Sequence, residues 1–321
     1  MKPRRPPPIT LLIVVVIVLL LMGAAPGRAL ADDERQSLGD AWWTGPLVAN
    51  SAGALPQGHV LIEPYLYDVR SSQVNTFGSL TYMEYAVTNR LMAGVVPTFG
   101  YSRASNGQNS AGIAQGDFSV LAQYSLTRFH EGSWVPDMAL MVQETLPTGQ
   151  YDRLSRPLVD AQGSGAYTTT VQLNTQMYFW LPNGRILRMR FNVGQSFSRA
   201  VPVNGVSVYG TPAGFHGHGV AGNAFLANAA WEYSMTLRWV LAFDLLYHYS
   251  RGAQVDGAIT TDAGHAPLNF RTGSSASFGF APAIEYNWRS NLGLIMGVRV
   301  FTGGHNSTHT VTPAIALNYV H

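Results

Sequence analysis

The chain has 321 residues, of which 46% are hydrophobic and only 12% charged, and it has no cysteine. Charged residues normally make up about 25% of a soluble chain, so this one has less water-facing surface than usual. The missing thiols exclude disulfides, thiolate metal sites and a cysteine-anchored lipoprotein. The formal charge of +2 comes from the first segment: Lys2, Arg4, Arg5 and Arg28 are four of the 20 basic residues, and without them sixteen face 18 acidic ones, a net of about −2 that excludes a nucleic-acid binder.

Residues 1–31 read as a cleaved secretory leader. Lys2, Arg4 and Arg5 form its basic start, Ile9 to Met22 its apolar core, and Ala29-Leu30-Ala31 its small-x-small cleavage site. The core is too short for a comfortable membrane span, which argues against an uncleaved anchor. The prolines after Arg4-Arg5 favour ordinary unfolded export over twin-arginine export. Beyond the leader no apolar run reaches about eighteen residues, so no transmembrane helix is expected. Residues 32–57 form an N-terminal extension with Trp42-Trp43 and a small-residue run containing Pro46 and Gly53. It either enters a lumen as a plug or lies at a rim with its tryptophans in the membrane interface.

From residue 58 the pattern is alternation with period two, the signature of strands. Weaker strands are expected near 59–69, 79–88, 91–101, 137–147, 223–233 and 291–302. Stronger ones are 116–127, 170–180, 187–198, 237–250, 277–287 and 310–320, about twelve in all. In 237–250 the odd positions are Leu237, Trp239, Leu241, Phe243, Leu245, Tyr247 and Tyr249, and Arg238, Asp244 and His248 fall between them. On a helix those ionisable groups would scatter; on a strand they share a face. Tight turns are expected at 88–90, 182–184, 234–236 and 288–290, and long Gly-rich loops at 102–115, 148–164, 199–221 and 251–272. Short turns at one end and long loops at the other describe a closed, antiparallel up-and-down transmembrane β-barrel, an all-β fold. Closure is also how a sheet satisfies its backbone in lipid. A soluble exported sandwich or barrel would show a similar alternation, with its aromatics turned inward.

Register follows from parity. A three-residue turn at Pro182-Asn183-Gly184 pairs Phe179 with Leu187 and Met177 with Met189. A turn at Ser234-Met235-Thr236 pairs Tyr233 with Leu237 and sets Glu232 opposite Arg238. The apolar parity assigns Phe191, Trp239, Phe243, Tyr247, Phe280 and Tyr319 to lipid, with aromatic girdles at both interfaces. The opposite parity assigns Arg188, Arg190, Glu232, Arg238, Asp244, His248, Glu285 and Arg299 to the lumen, joined by Glu84 and Asp117. They form either a charged constriction or cross-strand pairs that brace the interior. Eight strands pack solid and about sixteen leave a channel, so twelve falls between. The signs nearly balance, so strong ion selectivity is not expected. Glu144 shares the apolar parity of its strand and belongs near a rim. The last strand ends on Ile315, Leu317, Tyr319 and His321 at alternate positions. This resembles the terminal signal read by the outer-membrane barrel-assembly machinery, with histidine where phenylalanine is usual.

Several stretches resemble an outer-membrane barrel family named for the meta-pathway of phenol degradation. They are LPQGHVLIEPYLYDV (55–69), EYAVTNRLMAGVVPTFGY (84–101), GDFSVLAQYSL (116–126), LPTGQYD (146–152) and GSGAYTTTVQL (163–173). The resemblance implies a Gram-negative outer-membrane barrel that moves small hydrophobic or aromatic solutes, with outer-membrane lipid and lipopolysaccharide around it. It supplies no site residues.

Two motifs invite chemistry. His248-Tyr249-Ser250 sets a histidine and a serine on one face, as in outer-membrane lipid hydrolases. Parity turns this pair into the lumen, away from acyl chains, and no orienting Asn or Glu accompanies it. His216-Gly217-His218 and His305 with His309 have metal-ligand spacing but lack carboxylate or thiolate companions. No catalytic residue, cofactor or metal is expected. The expectation is a passive channel for small solutes. The alternatives are a largely closed structural or ligand-binding barrel and, more remotely, a lipid hydrolase.

Overall fold

The computed structural model describes residues 35–262 and 264–321; the expected leader lies outside the described residues. The strands are β1 (Val60–Arg70), β2 (Val74–Ala86), β3 (Leu91–Val96), β4 (Thr98–Ala104), β5 (Ala114–Gln115), β6 (Phe118–Thr127), β7 (Asp137–Leu146), β8 (Thr168–Trp180) and β9 (Ile186–Ser198). They continue as β10 (Ala200–Asn204), β11 (Phe215–Val220), β12 (Ala224–Ser234), β13 (Trp239–Ser250), β14 (Gln254–Thr261), β15 (Gly264–Arg271), β16 (Ser275–Arg289), β17 (Leu292–His305) and β18 (Thr310–Val320). Pro97 interrupts one stave, which runs as β3 and then β4. The ring closes in the order β1, β2, β3/β4, β6, β7, β8, β9, β12, β13, β16, β17, β18 and back to β1, twelve antiparallel staves.

The register through 182–184 follows the parity rule: Met177 pairs with Met189 and Phe179 with Leu187. Gly184 takes φ +75°, the left-handed position that the turn requires. The turn after β12 differs. Tyr233 pairs with Leu241 and Ser234 with Val240, so the turn is Thr236-Leu237-Arg238 and Glu232 lies opposite Ala242 rather than Arg238. The Thr236 hydroxyl accepts the Arg238 and Trp239 N–H groups at 3.2 and 3.0 Å and fixes this position. Sliding the turn by two residues changes no face, so alternation does not distinguish the two placements.

The stretches 199–221 and 251–272 are more ordered than loops. They carry β10, β11, β14 and β15, a separate four-stranded sheet in that order. Beneath it lies a small core of Val201, Val203, Tyr209, Phe215 and Val255. The loop after β7 contains the one-turn helix α1 (Pro157–Asp160) and joins this platform through backbone bonds from Arg153 to Asn204 and from Leu154 to Val206. At the base of that loop Asp117 accepts from Gly149 N, Ser164 N and Ser164 Oγ at 3.0, 2.7 and 3.0 Å, and Thr148 Oγ1 donates to the Gly116 carbonyl at 2.7 Å. The Gly-Asp and Leu-Pro-Thr-Gly motifs therefore staple one another at the long-loop end, and Asp117 is a loop anchor rather than a lumen group.

The outer surface is apolar. Phe191 and Phe278 are 50% and 57% exposed. Two aromatic clusters mark two levels. Trp239, Tyr286 and Trp288 meet near the short-turn end at centroid distances of 4.6 and 5.4 Å, and Phe225, Tyr247 and Phe278 meet near the long-loop end at 6.3 and 4.9 Å. The eight-residue step from Trp239 to Tyr247 is roughly 26 Å along the strand and about 20 Å along the axis after a tilt of about 40°, within the apolar band of about 25 Å that such barrels present.

Candidate functional site: the barrel interior

Inward positions are polar because the strands alternate, and most of these groups are buried. Glu232 and Asp244 are fully buried, as is Glu285, while Arg188 and Arg190 are nearly so. Arg188 and Glu232 face each other across β9 and β12. Arg188 Nε donates to Glu232 Oε2 at 2.7 Å and its Nη2 pairs with Oε1, while Arg190 Nε lies 3.0 Å from Oε2. One carboxylate thus holds two guanidinium groups. Arg188 also stacks on Trp43, with its Cζ 4.4 Å from the ring centroid.

The remaining charges on this wall hold the chain's own N-terminal segment. Residues 36–57 rise from the short-turn end into the barrel and return to it before β1. Gln36 N donates to the Gly184 carbonyl and Trp42 N to Leu237. Glu285 Oε2 accepts from Thr44 N at 2.7 Å and Gly45 N at 3.2 Å. Asp244 Oδ1 accepts from Ala49 N at 3.0 Å, and Arg190 Nη1 donates to the Ala49 carbonyl at 2.8 Å. Asn192 and Gln123 donate to the carbonyls of Asn50 and Ser51 at 3.1 Å each, and Gln57 N returns to Asn89 in a short turn at 2.9 Å. Leu47 packs on Ala281, Ile295 and Ala316. This segment has no strand period, so its polar backbone is satisfied by side chains scattered over the barrel, from β6, β8, β9, β13, β16 and β18.

The lumen assignments divide. Arg188, Arg190, Glu232, Asp244 and Glu285 meet in one network around the inserted segment. Arg299 faces the lumen from β17, apart from that network. His248 is half-buried, across from Leu226 and Ser277, and the Ser250 hydroxyl donates to the Arg251 carbonyl at 3.1 Å. Arg238 does not join the lumen: it is exposed in the turn, 5.9 Å from the Trp42 ring centroid. Of the aromatics assigned to lipid, Phe191, Trp239 and Tyr319 are exposed, and Tyr247 and Phe280 are half-exposed. Phe243 has the outward parity but is only 8% exposed, because Trp231 covers it at 6.4 Å. Glu144 lies near the long-loop end of β7 and accepts from Thr169 Oγ1 at 2.5 Å. His216 and His218 sit on β11 rather than in a loop, and among the described residues no group of three His, Asp or Glu is placed to hold a metal.

Opposite the charged wall lies open space. A cavity of about 490 Å³ separates the inserted segment from the wall formed by β1, β2, β3, β17 and β18. Glu63, Tyr65, Tyr67, Tyr82, Glu84 and Arg299 line it, with Met92, Leu121 and Met141 on the apolar side. Glu63 and its tyrosine neighbours were not anticipated. The Tyr-x-Tyr spacing after Glu63 is their signal, since Ile62 and Leu66 take the other parity.

The fold and interior together define a closed barrel with a polar lumen partly filled by its own N-terminal segment. The chain is similar in fold to an outer membrane channel from Pseudomonas putida F1, with a TM-score of 0.64 at 14% identity over 86% of this chain and 100% of that one. Weaker likenesses include the NanC porin (TM-score 0.44, 9% identity, covering 80% of this chain and 98% of that one) and a TodX variant described as a monoaromatic hydrocarbon channel (0.43, 9%, 83% and 91%). No family model matches the chain, and no curated protein matches it in sequence.

Proposed function

We propose that this protein is an outer-membrane channel for the passive passage of small solutes, and that residues 36–57 are a plug that sets the width of the path. The observation that carries this is the cavity of about 490 Å³ running between the segment and one side of a closed barrel. The apolar outer faces and two aromatic belts support a place in the outer membrane, reached through the barrel-assembly machinery. Tyr65, Tyr82, Met92 and Met141 along the path support hydrophobic or aromatic solutes, the class implied by the meta-pathway resemblance. Planar-bilayer recording tests this: the mature chain conducts, and deletion of residues 32–54 raises the single-channel conductance. Unchanged conductance on deletion contradicts the plug; absence of conductance from both proteins contradicts the channel. A second reading, a closed ligand-binding barrel, is favoured by the folded platform of β10, β11, β14 and β15 at the long-loop end, and would leave both proteins non-conducting.

A further inference from the structure

The short-turn end carries an excess of positive charge. Five hairpin connections join staves there, and each holds or borders one arginine: Arg90, Arg128, Arg185, Arg238 and Arg289. Arg35 stands beside them at the foot of the inserted segment. The carboxylates described at this end are committed: Glu131 to Arg35 at 3.1 Å, Asp40 to Ser37 Oγ at 2.6 Å, and Asp137 to Phe129 N at 2.9 Å. Among the described residues none of the five turn arginines makes an ion pair. The long-loop end differs. There seven arginines meet seven carboxylates, and Arg70 and Arg156 are paired with Asp68 and Asp160.

The arginines fall into pairs, each joining neighbouring elements. Arg128 Nη2 donates to the Asn89 carbonyl, which sets it beside Arg90. Asn287 N donates to the Arg238 carbonyl at 2.9 Å, so Arg289, two residues further on, is a diagonal neighbour of Arg238, roughly 7–8 Å away at the backbone. Arg185 and Arg35 share a cleft of about 370 Å³, where Asp40 and, through Arg35, Glu131 offset part of their charge. The first two pairs have no such offset. Like charges held this close repel unless an anion lies between them. The planar fork of arginine takes phosphate oxygens two at a time.

The same turns expose apolar side chains, which is a second and independent feature. Trp134, in the turn with Arg128, is 84% exposed, and the exposed Val135 follows it. Leu237 and Trp239 flank Arg238, Trp288 precedes Arg289, and Val87 opens the turn of Arg90; all four are exposed. Trp239, Tyr286 and Trp288 form the aromatic cluster of the short-turn level. The arginines therefore lie at and just beyond the aromatic belt, the depth at which a bilayer places its phosphates. Trp239 and Trp288 have the lipid-facing parity, which an acidic protein docking on the turns would not require.

We infer that the short-turn rim binds the phosphates of anionic phospholipids in the periplasmic leaflet, with Arg90 and Arg128 forming one clamp and Arg238 and Arg289 another. The chains of the lipid in the second clamp lie against Trp239, Tyr286 and Trp288. This goes beyond the channel reading and needs only that the barrel spans a membrane. A basic residue near an anionic lipid surface contributes about a fivefold preference.

The test is quenching of the protein's own fluorescence. All seven tryptophans lie in the short-turn half of the barrel or in the inserted segment, so they report this end. The mature chain is refolded in phosphatidylcholine vesicles that carry the same small fraction of a brominated lipid, either phosphatidylglycerol or phosphatidylcholine. Brominated phosphatidylglycerol should quench as though enriched about fivefold or more around the protein. Sodium chloride at about 1 M should remove most of that enrichment, because the arginines are exposed. In the Arg90→Gln/Arg128→Gln/Arg238→Gln/Arg289→Gln variant the enrichment should fall to about one. The Arg103→Gln/Arg251→Gln variant, changed at the long-loop end, should match the parent. Heat-modifiable mobility reports a folded barrel in each; if the fourfold variant does not fold, the parent's response to salt decides. Equal quenching by the two lipids in the parent, a preference that resists salt, or a folded fourfold variant that keeps the preference overturns the inference and leaves the channel reading standing. Loss of the preference in millimolar inorganic phosphate at constant ionic strength would assign the clamps to a free anion and overturn the lipid reading.

Discussion

Replacing Glu285 with alanine tests what keeps the inserted segment in place. Its Oε2 accepts two backbone N–H groups, from Thr44 at 2.7 Å and Gly45 at 3.2 Å, at a fully buried position. A hydrogen bond to a charged group contributes about 1.5–3 kcal/mol net, and the longer bond belongs at the low end, so the pair contributes about 3 kcal/mol. Every 1.4 kcal/mol is tenfold, so Glu285→Ala should raise the undocked population roughly a hundredfold. The chain has no cysteine, so one introduced thiol is a unique reporter. Ala52 is fully buried in the segment and is not on the cavity wall, so Ala52→Cys reacts only when the segment leaves. With a water-soluble thiol reagent, its labelling rate should rise roughly a hundredfold in the Glu285→Ala background. Glu285→Gln keeps one acceptor oxygen and should give an intermediate rate. Equal rates in all three proteins would refute the reasoning, provided the barrels unfold at the same temperature.

Two further outcomes follow from the same network and from the loop staple. Glu232→Gln leaves Arg188 and Arg190 buried without their shared carboxylate and should destabilise the barrel by roughly 3–5 kcal/mol, read as a lower unfolding temperature by heat-modifiable electrophoresis; an unchanged temperature contradicts the ion cluster. Gly149→Ala would set a Cβ 2.6 Å from the Gln162 carbonyl oxygen and 2.8 Å from Gly163 Cα, both backbone atoms that cannot swing aside. It should cost about 1–3 kcal/mol locally and speed proteolysis within 150–164 while the barrel stays protected; parent-like proteolysis contradicts the staple.

Much of the barrel was legible because lipid on one side and a polar interior on the other impose alternation on every stave. The pairing of Met177 with Met189 could be derived from parity and a glycine turn. The turn after β12 could not, because a slide of two residues preserves both faces; the Thr236 hydroxyl decides it, through contacts that alternation does not encode. β11 and β14 escaped notice because Gly217, Gly219 and Gly257 break the apolar period, and this sheet packs on the loops' own small core instead of presenting an apolar face outward. The interior was legible only in part. Arg188, Arg190 and Glu232 shared a face on strong strands, whereas Glu63 and Tyr82 lay on strands whose two faces are mixed. The route of residues 36–57 left no periodic trace, since its partners lie up to 274 positions away in sequence.

The central claim is that apolar faces look outward to hydrocarbon and polar faces look inward. Single cysteines introduced in turn at Thr170, Val171, Gln172 and Leu173 on β8, spin-labelled in a bilayer, test it most directly. Val171 and Leu173 are 38% and 40% exposed, while Gln172 is 5% exposed. Labels at Val171 and Leu173 should collide with membrane-dissolved oxygen and not with a water-soluble nickel reagent, and labels at Thr170 and Gln172 should be shielded from oxygen. The opposite alternation, or none, would contradict the account.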